Sequence, residues 1–204
     1  MTRTPDAVTS APPGAAHHHV CPWWLGHLLA SPLRRLFDNP DRLLGAFIEP
    51  GMTVLDFGCA MGFHSLPAAR LAGERGRVIA VDIEPRMLAA LRRRAAKAGL
   101  LERIDARLCP PDGLGLDGLE GTIDVALAFH VLHETPDIPR TLRQLCEALR
   151  PGGKLLLAEP PGHVSAASLA ATLAAAASAG FRVASPTGTG RRRPVVLERR
   201  RGNE

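Results

Sequence analysis

Between residues 54 and 158 the chain alternates short apolar runs with segments of helical period, and this restricts the fold more than any other feature of the sequence. Residues 54–57, 78–81, 104–108, 123–129 and 154–158 read as strands, and 63–71, 85–98 and 138–149 as helices between them. An unbroken apolar run such as 123–129 suits a strand covered on both faces, which is how parallel strands sit in a sheet. In the last helix Ile138, Leu142, Leu145 and Leu149 share one face, and Pro151-Gly152-Gly153 ends it before the fifth strand. Beyond an alanine-rich helix, two further runs at 181–184 and 194–198 are joined directly by a loop of Ser, Pro, Thr and Gly, which predicts an antiparallel hairpin at one sheet edge. The expected fold is therefore α/β: a doubly wound sheet of seven strands, mostly parallel, with its ligands at the carboxyl ends of the strands. That places the site just after Phe57, Val81, Leu108 and Phe129.

A length of 204 residues suits one such domain with extensions. Residues 1–16, rich in Pro, Ala, Thr and Ser, read as a tail without an apolar face. Residues 17–50 read as a helical prelude, in which Trp24, Leu25, Leu28 and Leu29 form one stripe and Ser31-Pro32 and Asn39-Pro40 mark helix starts. Residues 51–204 form the domain proper. The net charge of +5 is concentrated in Arg92–Arg94, Arg191–Arg193 and Arg199–Arg201 without interleaved aromatics, so nucleic acid is disfavoured as a partner. The alanine-rich stretch 164–181 is interrupted by Ser and Thr and reads as a soluble helix, so no membrane partner is expected. Cys21, Cys59, Cys109 and Cys146 form no C-x-x-C pair and accompany no secretory signal, which suits reduced thiols in the cytoplasm.

The segment Val54-Leu55-Asp56-Phe57-Gly58-Cys59-Ala60-Met61-Gly62-Phe63 brings an acid at a strand end into a small-residue turn and a helix. A dinucleotide site normally has an apolar residue where Asp56 stands, and its glycines are spaced G-x-G-x-x-G, whereas Gly58, Ala60 and Gly62 give G-x-A-x-G. The segment resembles motif I of the class I S-adenosylmethionine-dependent methyltransferases, and the resemblance runs from about residue 51 to residue 199. It implies a Rossmann-like sheet and S-adenosylmethionine as cofactor. Asp82, ending the second strand, stands where the family places the acid that accepts both ribose hydroxyls, and Ile83 where an apolar residue lies against adenine. Asp56 would supply negative charge near the ligand, and Gly58 and Gly62 would let backbone approach it.

The sequence departs from the family pattern twice. Ala60 replaces the middle glycine and is expected at negative φ. After the third strand, where the family often has Asp for the adenine amino group, the chain reads Cys109-Pro110-Pro111-Asp112-Gly113, leaving Asp112 and the Cys109 backbone as alternatives.

Phe129-His130-Val131-Leu132-His133-Glu134 resembles the segment that closes over the methionine part, with Phe129 on the cofactor and His130 and His133 toward the acceptor. Methyl transfer is an in-line displacement, so positioning dominates and a base is needed only for an acceptor that keeps its proton at neutral pH. Histidine suits that task. Glu159, in Glu159-Pro160-Pro161-Gly162, and Cys21 and Trp24 of the prelude are further candidates for the acceptor pocket. His19 with Cys21 could hold a soft metal or metalloid, but two residues make no closed site, so no resident metal is expected. The reading is a methyltransferase acting on a small molecule, with a thiol or metalloid among the acceptors considered. An RNA-directed methyltransferase and a non-catalytic cofactor-binding module are the alternatives.

Overall fold

The computed structural model describes residues 39–110, 112–160, 162, 164–185 and 194–202. The tail, most of the prelude with His19, Cys21 and Trp24, and Arg191–Arg193 lie outside the described residues. The described part of the prelude contains helix α1, Pro40–Leu44, started as its sequence predicts: Pro40 opens it and the Asn39 side chain accepts the Arg42 N–H at 3.1 Å.

Strands β1 (Thr53–Phe57), β2 (Arg77–Asp82), β3 (Ile104–Leu108), β4 (Ile123–Phe129), β5 (Leu149–Ala158), β6 (Phe181–Ser185) and β7 (Val195–Arg199) form one sheet in the order 3-2-1-4-5-7-6. All neighbouring pairs from β3 to β5 are parallel, and β7 runs antiparallel between β5 and β6. The expected hairpin partners do pair, with β7 as the inner strand.

Side chains alternate across this sheet and make a core on each face. Leu55, Phe57, Ile79, Val81, Ala126 and Leu155 face helices α4 (Ile138–Ala148) and α5 (Ala166–Ser178). Val54, Val78, Ala80, Leu127 and Leu156 face α2 (Ser65–Ala72) and α3 (Pro85–Lys97). Leu142 and Leu145 of the expected apolar face of α4 are fully buried. None of the helices among the described residues is long and apolar enough to cross a membrane.

Pro151-Gly152-Gly153 does not precede the fifth strand; it lies within it. The register jumps from Ile123↔Leu149 to Val125↔Lys154, so a bulge absorbs the extra residues and Gly152 takes φ +78°. Strand order reverses at the β1–β4 junction, the topological switch point at which doubly wound sheets open a crevice beyond their carboxyl ends.

Candidate active site

Asp56 and Asp82 stand at the ends of neighbouring strands, β1 and β2, and in different surroundings. Asp56 points into the α2 side of the sheet, only 2% exposed, and accepts the hydroxyl of the fully buried Ser65 at 2.5 Å. Burial pushes its carboxyl up to about 6, against the Ser65 hydrogen bond and with help from the nearby Asp82 charge. Asp82 is partly accessible and accepts backbone N–H groups on both oxygens, Ala60 at 2.8 Å and Glu84 at 2.9 Å. Burial raises its carboxyl as well, with those N–H groups opposing the shift. A carboxylate offers about four acceptor sites, so the Asp82 carboxylate can still accept from a ligand.

The turn after β1 is tied to β2, because Gly58 and Cys59 both donate to the Val81 carbonyl, at 3.0 and 3.1 Å. Its backbone corrects one expectation: Ala60 has φ +46°, not a negative value, in a run with Gly58 at +71° and Gly62 at +80°. A left-handed alanine costs about 1–2 kcal/mol. The Ala60 N–H that donates to Asp82 is part of what holds it there.

Packing within the protein also requires the two glycines. A Cβ on Gly58 would stand 2.4 Å from Val131 Cγ2, and one on Gly62 would stand 2.2 Å from Leu91 Cδ1, so the space they leave is filled by the protein itself. Gly58 thereby lets the loop after β4 pack onto the loop after β1.

Beyond β2, Ile83 is 57% exposed, and Leu108, paired in register next to Asp82 at the tip of β3, is 52% exposed. Two large aliphatic side chains left bare at adjacent strand ends, beside an acid, fit a nucleoside: an apolar plane for the base and an acceptor for its sugar hydroxyls. Ile83 follows from the motif. Leu108 does not, because its sequence context is that of any strand residue.

Cys109 is buried; its N–H closes the ladder on the Asp82 carbonyl at 2.9 Å, and burial raises its thiol to about 11. Asp112 is exposed, its carbonyl accepts the Arg140 guanidinium, and it lines a groove with Gln144 and Glu147 of α4. Of the arginine cluster at 92–94, Arg92 donates to the Ala106 carbonyl and Arg94 to the Met61 carbonyl, so two of the three guanidinium groups brace the fold.

At the tips of β4 and β5 the structure unites residues that the sequence places far apart. Phe129 packs against His64 with ring centroids 4.5 Å apart. His64, the residue before α2, was not singled out from the sequence, since a lone histidine at a helix start carries no motif. His130 is exposed, has φ +60° and donates its N–H to the Ala158 carbonyl at 2.7 Å. His133, in the short 3-10 turn Leu132–Glu134, meets Glu159: its Nδ1 lies 2.6 Å from Oε2, and its backbone N–H donates to Oε1 at 3.2 Å. The two side chains are 25% and 9% exposed. Burial raises the Glu159 carboxyl, and the contacts with His133 oppose that shift. On the other side of the ring, Nε2 is 3.9 Å from Glu134 Oε1.

The model of the methyltransferase domain family matches residues 48–189, most of the chain, from before β1 to beyond β6. The chain belongs to the class I S-adenosylmethionine-dependent methyltransferases.

The chain is similar to the ubiquinone biosynthesis O-methyltransferase of Xanthomonas axonopodis pv. citri (strain 306), with 33% identity over 138 residues, 66% of this chain and 54% of that protein. It is 32% identical to the arsenite methyltransferase of Halobacterium salinarum over 114 residues, 56% of this chain and 28% of that protein. The chain thus spans about half, or less, of the length of these relatives. Among solved structures, a S-adenosylmethionine-dependent methyltransferase from Aquifex aeolicus has the same fold, with a TM-score of 0.74, 23% identity and coverage of 87% of this chain and 97% of that one. Family membership makes S-adenosylmethionine the cofactor, and the pairing of Asp82 with bare Ile83 and Leu108 fits it.

Proposed function

We propose that this protein transfers a methyl group from S-adenosylmethionine to a small acceptor, with the cofactor across the tips of β1, β2 and β3 and the acceptor at the tips of β4 and β5. The observation that carries this reading is the meeting of two chemistries on one sheet edge. An acid with bare aliphatic neighbours ends β2 and β3, and a carboxylate–imidazole pair joins the ends of β4 and β5. Strands β2 and β4 are separated only by β1, so their tips stand about 10 Å apart at ordinary strand spacing.

When bound, S-adenosylmethionine supplies an electrophilic methyl group on a sulfonium. In this reading Asp82 accepts the ribose hydroxyls, and Ile83 and Leu108 flank the adenine, whose amino group goes to the Cys109 backbone carbonyl, next to the point where Cys109 is tied to β2 through Asp82. Asp56 sets a negative charge beneath the glycine turn, and Phe129 with His64 walls the crevice at the switch point. His130 and His133 face the acceptor.

The relatives named as O-methyltransferases support an oxygen acceptor, and the arsenite methyltransferase a metalloid one. Among the described residues, Cys59, Cys109 and Cys146 are buried free thiols whose ionisation burial opposes, which makes these three poor ligands for a metalloid. Free thiols also accord with a reducing, cytoplasmic setting. Isothermal titration with S-adenosylmethionine and S-adenosylhomocysteine tests the reading: both should bind at one site, and failure of both to bind defeats it.

A further inference from the structure

Helix α3 turns one stripe toward the turn after β1. Met87, Ala90, Leu91 and Arg94 recur at helical spacing, so they share a face. Met87 and Ala90 are buried in one cluster with Met61, and Ala60 packs against it. Leu91 fills the space that Gly62 leaves, since a Cβ there would stand 2.2 Å from Leu91 Cδ1. Arg94 donates from its guanidinium to the Met61 carbonyl, 33 residues away in the chain. Arg92 lies off the stripe and donates to the Ala106 carbonyl of β3, so two arginines of one run brace different parts of the molecule.

The Met61 carbonyl and the Gly62 N–H belong to one peptide plane, and its direction decides how the turn runs. Before it, Ala60 holds φ +46° and gives its N–H to Asp82. After it, Gly62 holds φ +80°, with its N–H on the Cys59 carbonyl at 2.9 Å. Rotating that plane would break the Gly62 bond and take the carbonyl of Met61, a residue only 3% exposed, off its guanidinium. A charge-assisted bond to a buried carbonyl resists such a rotation.

Resting on the placement of the cofactor at the tips of β1, β2 and β3, we propose that Arg94 is a positioning residue for S-adenosylmethionine. Through the Met61 carbonyl it holds the turn in the left-handed course that keeps the Ala60 N–H on Asp82, and so keeps the Asp82 carboxylate aimed at the ribose. Arg94 itself touches no ligand in this assignment; it fixes backbone that does. A left-handed alanine is disfavoured by a factor of about 5 to 30. Without Arg94 the turn relaxes to that extent, and affinity falls with the fraction of molecules still competent to bind.

Calorimetry of the full chain with S-adenosylhomocysteine, at a temperature where circular dichroism shows each variant folded, tests the assignment. Arg94→Met should raise the dissociation constant about 5- to 30-fold. Arg94→Lys, which restores a charged donor, should recover it to within about threefold of the native chain. Arg92→Met loses a brace of the same kind away from the turn and should leave it within about twofold. Hydrogen exchange at the Ala60 and Gly62 amides should quicken in Arg94→Met and not in Arg92→Met, a contrast that a general loss of stability would not produce. Arg94→Gln takes the place of Arg94→Met if that variant does not fold, with the same expectation.

An unchanged dissociation constant in Arg94→Met overturns the proposal, as does an equal loss in Arg92→Met or a failure of Arg94→Lys to recover. A native chain that binds neither S-adenosylmethionine nor S-adenosylhomocysteine defeats the proposed function itself. A native chain that binds both, with Arg94→Met its equal, defeats only the role of Arg94.

Discussion

The tips of β1 and β2 and the tips of β4 and β5 both carry carboxylates, yet they treat charge in opposite ways. In the first half Asp56 and Asp82 meet a hydroxyl and backbone N–H groups but, among the described residues, no cation, and burial raises both carboxyls. In the second half Glu159 meets an imidazole at 2.6 Å, so its carboxylate has a partner within the fold. A half that keeps its acids uncompensated is suited to a cationic ligand, which relieves them on binding. A half that carries its own acid–base pair is suited to moving a proton. The halves are therefore expected to fail separately: one in cofactor affinity, the other in turnover.

The largest effect should come from the second half. His133→Gln should lower kcat by about 10² to 10⁴ and leave the dissociation constant of S-adenosylhomocysteine unchanged in calorimetry. A weakened cofactor would break the comparison, because His133 would then belong to both halves.

Asp56 provides the next test, through pH. Its carboxyl is raised from 3.8 to about 6, so its contribution to stability is fully present below about pH 4 and is lost as pH rises through 6. Above pH 7 the folded protein pays about 3 kcal/mol for the ionised form, since two pKa units correspond to that energy. Asp56→Asn, which can still accept the Ser65 hydroxyl, should therefore raise the melting temperature at pH 7.5, with little gain at pH 4.5, while weakening S-adenosylmethionine binding. Equal melting temperatures at pH 7.5 would show that the buried acid is not a cost.

Asp82→Ala should weaken S-adenosylmethionine by about 1–3 kcal/mol through lost charge-assisted hydrogen bonds, with kcat at saturation nearly unchanged. The smallest effect is expected at Ala60. Relief of its left-handed strain competes with the extra freedom of glycine in the unfolded chain, so Ala60→Gly should raise stability by less than about 1 kcal/mol in urea titration.

Much of the first half was legible in the sequence because its parts are local. Asp56, the small-residue turn and the helix after it form one continuous segment, and Asp82-Ile83 ends a strand whose apolar run marks it. Local pattern also set the strand and helix assignments to within a few residues. It misplaced Pro151-Gly152-Gly153, since a bulge in β5 is created by pairing with β4 and not by the residues themselves. It missed Leu108, His64 and Val131 for a similar reason. Leu108 is distinguished only by being bare, His64 by the Phe129 ring and Val131 by the space that Gly58 leaves for it.

The second half shows where sequence stops. His130, His133 and Glu159 could each be named as candidates, but nothing in a linear chain states that His133 and Glu159, 26 residues apart and on either side of the α4 crossover, share a hydrogen bond. The backbone at Ala60 was likewise misjudged: an alanine in isolation prefers negative φ, and only its setting between Gly58, Gly62 and Asp82 reverses that preference.

By itself, the amino-acid sequence determined the alternating elements, the doubly wound sheet and the acids that end β1 and β2, because periodicity and turn chemistry act over a few residues. Tertiary structure alone decided which carboxylate meets which partner and how the glycine turn is bent, because those outcomes depend on groups brought together by the parallel register of strands distant in the chain.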